Sequence, residues 1–372
     1  MDLNQITSPG KCEINNSLIK DRSSMNKGMQ SLNLKEACQV AKNWLPPITS
    51  EDKMAVINAI TGEEATFGTP LLRKYIELLR PYTDILGVSG KGKEPREADC
   101  LASGIVFFYG CLFYIMHFKG WGNHIEDIFL YNLLYILVDH YIDDIRIDIQ
   151  LKSTAISQMF ILIMDPLSYK TMPLIDPILK TIAIVYNRLI TRCPQSKDSI
   201  ITLFKSEIEG LNIQKTDSLE RGKYYDIALR KGGHTMEVLQ HIVGDNDPTI
   251  KEASFHLGTI MQLIDDLIDS QQDKKNDINT IATYDFENKG LLDELWIDII
   301  KRIDSIDSRF TIFKILYTIF VVYIPDRLPD RFSQKLKDST HPINLFDCNG
   351  AGLLVDAIMS ELTTMESLEH TQ

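Results

Sequence analysis

A chain of 372 residues that is 44% hydrophobic and 24% charged has the balance of a globular protein, with material for one large domain or two ordinary ones. Its net charge of -12 argues against a nucleic-acid backbone as the main partner, although bound metal ions can invert the local field for a polyanionic ligand. Six cysteines without paired metal-type spacing fit reduced thiols in a cytoplasmic setting better than a disulfide framework.

The start of the chain lacks the apolar core of a secretory signal, and residues 1–34, polar and rich in Asn, Ser and Lys, read as a flexible tail. The spacing of apolar residues then predicts helices over Ser50–Ile60, Thr69–Leu79, Ala98–Phe118, Ile125–Ile147, Pro173–Thr191, Ser196–Leu211 and Leu219–Val243. Further helices are predicted over Pro248–Ser270, Gly290–Asp304, Arg309–Tyr323 and Gly352–Leu362. Within the third, Leu101–Phe118 carries no formal charge. It sits at the lower edge of a membrane-spanning length. Similar apolar density recurs at Ile128–Val138, Ile156–Met164 and Ile312–Ile324 among acidic residues, so a core helix of a bundle is the expected reading, with no membrane span. Strand-like alternation is scarce and no long linker interrupts the chain, which predicts one all-α domain over 35–365.

Two acidic clusters stand out. Asp139 and Asp143 are one helical turn apart at the end of an apolar run, where their mutual repulsion calls for a cation between them. Asp144 and Asp148 form a second such pair, expected to face solvent. In Leu257–Asp273, Gly258, Gln262, Asp265, Asp266 and Asp269 fall along one stripe of an otherwise apolar helix. No Lys or Arg lies between Glu252 and Lys274, so any partner for these carboxylates comes from elsewhere, a divalent metal being a good candidate. Carboxylates without a His/Cys set suit a hard, oxygen-seeking ion such as Mg2+. No glycine-rich phosphate loop of the nucleotide-hydrolase type is present, and His140 and His234 read as ordinary structural histidines.

These residues resemble the motifs of the trans-isoprenyl diphosphate synthases. Gly258 to Asp269 is similar to that family's second aspartate motif, with Met261 in place of a Phe, and Asp139–Asp143 to the first, with His140 in its second position. Tyr224 precedes Lys231 with the family's spacing, although Gly232 replaces a Thr; Gln214 and Asp217 match the element before it. Gly92–Arg96 resembles a diphosphate-binding loop, and Asn132 takes the place of a family Gln or His. Departures are the missing Arg pair after the first motif, where only Arg146 and the more distant Lys152 stand, and Ala282 where a lysine is usual, with Lys274 and Lys275 nearby.

The resemblance implies a helical bundle of the class I terpenoid-synthase type and a cytoplasmic homodimer. It further implies three Mg2+ ions (Mn2+ as a substitute) held by Asp139, Asp143, Asp265, Asp266 and Asp269. Lys231 would contact the allylic diphosphate, while Gln262 would steady the carbocation. Lys93, Arg96, Asn132 and Arg146 would bind substrate diphosphate. The implied reaction joins isopentenyl diphosphate to an allylic diphosphate. Tyr135 and Tyr131, about 6 and 12 Å below Asp139 on a straight helix, would floor the chain pocket and limit the product to C15–C20. Two alternatives are a class I terpene cyclase, which needs no second diphosphate, and a non-catalytic partner subunit of a related synthase.

Overall fold

The computed structural model describes residues 78–79, 104, 107–108, 110–111, 114–115, 117–143, 147–214, 220–245, 247–287, 291–310, 313–314, 317–318 and 321. Eighty-five per cent (85%) of what it describes is helical and none is strand, as the periodicity predicts. The long helices are α1 (Ile125–Asp143), α2 (Ile149–Met164), α3 (Ile178–Arg192), α4 (Lys197–Gln214), α5 (Arg221–Ile242) and α6 (Pro248–Lys275). A short α7 (Ile281–Glu287) and α8 (Leu291–Asp304) follow.

Local chemistry sets the boundaries. Asp148 is exposed, but it also caps α2 by accepting from the Gln150 and Leu151 amides at 2.9 and 3.3 Å. Gly244, with φ 74°, reverses the chain after α5. Asp247 then accepts from the amide and hydroxyl of Thr249 ahead of Pro248, a residue suited to a first helical position. Asp277, at φ 54°, ends the turn after α6 and sends the chain into Asn279 and Thr280. Thr280 and Thr283 cap α7 reciprocally, each side-chain oxygen accepting from the other's amide.

Helix α1 is buried almost all round, with Ile128, Phe129, Leu130, Tyr131, Leu133, Leu134 and Leu137 in the core. That is why it reads as a continuous apolar run rather than a stripe. Its start is pinned to the end of α3, where Arg192 bonds Asp127 and Glu126. From the Leu101–Phe118 segment, Phe108, Cys111, Tyr114, Ile115 and Phe118 are buried in the same core. Among the described residues no helix is long and apolar enough to cross a membrane.

Helices α5 and α6 run antiparallel and form the most extensive helix pairing among the described residues, and α4 packs on α5 as well. Their crossing has no side chain in it. A Cβ built on Gly232 lands 2.1 Å from the Gly258 carbonyl oxygen, and one on Gly258 lands 1.9 Å from the Gly232 oxygen. Gly232 is therefore a packing requirement of this pair, which explains why no Thr stands there.

Candidate functional site

The antiparallel crossing stacks residues of α5 and α6 in levels. Below the glycine contact, Lys231 comes from α5 and Gln262 and Asp266 from α6. The acidic stripe divides here: Asp265 and Asp269 are exposed, whereas Gln262 and Asp266 turn inward. The Gln262 amide donates to Asp266 at 2.9 Å, and more distantly to Asp265 at 3.5 Å.

Asp266 is 9% exposed. Burial is the main reason its carboxyl is raised to about 6; the Gln262 hydrogen bond and the Lys231 charge oppose the rise, while Asp269 and Glu207 add to it. The cation expected from outside the α6 sequence is thus present in part as Lys231. That ammonium is shared, because its Nζ lies 2.9 Å from Oε2 of Glu207 on α4.

Glu207 is the residue the motif reading missed. It is 6% exposed, on a helix whose neighbouring Leu203, Phe204 and Leu211 are buried. A carboxylate inside an apolar stripe is the sequence signal that marks it. Gly210, one turn on, leaves room for the lysine: a Cβ there would sit 3.3 Å from Cδ of Lys231.

A cavity of about 30 Å³ opens between Lys231, Gln262, Asp266, Tyr224, Asn279 and Thr280, closed by Ile213, Ile227 and Ile281. It has room for roughly one or two waters. Ala282, where the resemblance leads one to expect a lysine, is fully buried, while Asn279 and Thr280 line the cavity.

Tyr135 of α1 is held well above the ordinary phenol range, by burial first and then by the charges of Asp139, Glu207 and Asp265. Carboxylates from α1, α4 and α6 therefore lie within electrostatic reach of one hydroxyl. Beneath it, the Tyr135 ring stacks on Phe107 at 4.7 Å, and Tyr131 bonds the Thr235 carbonyl at 2.9 Å. Phe107, Tyr131 and Tyr135 make one aromatic cluster.

Asn132, two turns below Asp139, is 1% exposed, and neither atom of its amide has a hydrogen-bond partner. A buried amide in that state is costly, by about 1–3 kcal/mol for each unsatisfied group. Among the described residues no group of three or more His, Cys, Asp or Glu side chains is gathered at metal-binding distance. The donors are nonetheless all oxygen, and Mg2+ needs only one or two carboxylates when phosphate and water complete its shell. The donor chemistry fits the ion.

Lys93, Arg96, Arg146 and Asp217 lie outside the described residues, as do the side chains of Asp143, His140 and Gln214. Lys274 and Lys275 are exposed on the last turn of α6. His234 is tied to Glu237 at 2.8 Å, away from the cavity, in keeping with a structural role. Compared with family models and with curated proteins, the sequence gives no match.

Proposed function

We propose that this chain is a Mg2+-dependent prenyltransferase of the class I terpenoid-synthase type, condensing isopentenyl diphosphate with an allylic diphosphate to a C15–C20 trans-prenyl diphosphate. The reading rests on the two acidic motifs at helical spacing, together with the Lys231, Gln262 and Asp266 side chains that line one cavity. Asp139, Asp143, Asp265, Asp266 and Asp269 would hold the metal, which when bound supplies Lewis-acid neutralisation of the leaving diphosphate.

The chain's own residues do the rest. Lys231 lends positive charge to the leaving group. The Gln262 amide donates toward Asp266 and Asp265, which points its oxygen away from them, so that a carbocation meets the negative end of the amide dipole. Lys93, Arg96, Asn132 and Arg146 bind substrate diphosphate in this reading. In this reading the stacked Phe107 and Tyr135 rings would limit the length of the product.

The test is product analysis of the purified chain with Mg2+, isopentenyl diphosphate and each allylic primer in turn. A prenyl diphosphate lengthened by five carbons supports the proposal. Hydrocarbon or alcohol released from the primer alone would assign a cyclase instead, and no turnover of any primer would leave a partner subunit. In the synthase, Asp265→Ala lowers kcat by about three orders of magnitude, equivalent to roughly 4 kcal/mol of transition-state stabilisation.

A further inference from the structure

Lys231 already has an anion. Its Nζ is 2.9 Å from Glu207, the Asp266 charge acts on it as well, and its stem lies across α4 at Gly210. The adjoining cavity has the volume of a water or two. An anion arriving at Lys231 must therefore take the ammonium from Glu207 and meet the like charge of that carboxylate. We propose that Glu207 is an internal competitor for the diphosphate: it holds Lys231 across α4 in the resting chain and surrenders it when a diphosphate binds.

This rests on the reading of Lys231 as a diphosphate contact and adds a residue to it. Glu207 acts through Lys231, so it is a positioning residue. Its effect is to weaken retention of a diphosphate, of substrate and of released pyrophosphate alike, and so to favour product departure. A purely structural ion pair has the opposite signature, since its loss would loosen the site and weaken binding.

The experiment is titration calorimetry of the full chain with inorganic pyrophosphate in the presence of Mg2+, using wild type, Glu207→Gln, Lys231→Gln and the double variant. Glu207→Gln keeps the volume and an acceptor for the ammonium while removing the competing charge. It is expected to tighten pyrophosphate binding about tenfold, whereas Lys231→Gln weakens it by about the same factor, and the gain disappears in the double variant. If Glu207→Gln is not folded by circular dichroism, Glu207→Asp serves, with an expected tightening of about threefold. Unchanged or weaker binding in the folded Glu207 variant, with Lys231→Gln still impaired, overturns the competitor role and leaves the diphosphate reading standing. Binding that is indifferent to Lys231→Gln, or absent from the wild type, overturns both.

Discussion

Glu237 and Asp266 are both buried carboxylates of the α5–α6 pair, yet burial leaves them in opposite states. Glu237 lies above the glycine crossing, where His234 and Lys251 approach its two oxygens at 2.8 and 2.7 Å. Burial by itself would raise its carboxyl, but those two partners overcome it and hold the group at about 2. Asp266 lies below the crossing, with one amide and a lysine that Glu207 also claims, and burial wins. A carboxylate with a partner at each oxygen is part of the scaffold. One left short of charge beside a polar cavity is poised for an incoming cation or proton.

The most disruptive way to break this comparison is to disturb the contact that separates its two halves. Gly258→Ala places a Cβ on the Gly232 carbonyl, which has no flexible atom to move aside. The helices must part, and the loss is expected to exceed about 4 kcal/mol. Thermal unfolding followed by circular dichroism should show a collapse of the transition; a melting point near wild type would mean that the crossing relaxes freely.

Glu237→Gln comes next, with an expected destabilisation of about 2–3 kcal/mol at neutral pH from the loss of two charge-assisted hydrogen bonds. The sign follows from a folded pKa depressed from 4.5 to about 2: the stabilisation is present above pH 4.5 and lost as the pH falls toward 2. Urea unfolding at neutral and acidic pH checks it, since the difference between variant and wild type should shrink on acidification.

Asp266→Asn should go the other way. Its folded pKa is raised from 3.8 to about 6, so the folded state holds the proton more tightly and stability falls as the pH rises through that interval. The amide removes a penalty of about 2–3 kcal/mol at pH 7 and makes no difference below pH 4. Destabilisation at pH 7 would show that the carboxylate is already compensated in solution. Gly210→Ala is the mildest. Its Cβ sits 3.3 Å from Lys231 Cδ, a contact the lysine relieves by a small shift, and helix propensity offsets part of the cost. Stability should change by less than about 1 kcal/mol, while pyrophosphate affinity, read by calorimetry, reports whether the lysine has moved off Glu207.

The α5–α6 pair was legible in advance because its helices repeat apolar residues at helical spacing and are joined by a short Gly- and Pro-marked turn. Predicted Leu219–Val243 and Pro248–Ser270 correspond to Arg221–Ile242 and Pro248–Lys275. Boundaries slipped where two start signals compete: Pro173 and Pro177 both announce α3, and the helix begins only after the second. Helix α7 is a single short element set by the Thr280–Thr283 cap, too brief for periodicity to detect. At the site, aspartates could be read from their spacing, but which of them turn inward could not, because Asp265 and Asp266 are neighbours on the same stripe. Glu207 shows the harder limit. Its importance depends on a lysine in another helix, and no spacing within α4 reveals that. Gly232, which stands where the resembling motif has a Thr, read as a departure only because its partner, Gly258, is distant in the chain.

The glycine crossing also has a mechanical consequence. Wherever two helices touch through side chains, a larger residue on one can be matched by a smaller one on the other, and the separation drifts with the pairing. Gly232 and Gly258 have nothing left to give up. The gap between the Lys231 and Gln262 rows is thereby set where backbone meets backbone, and a change of side chain at either glycine can only widen it.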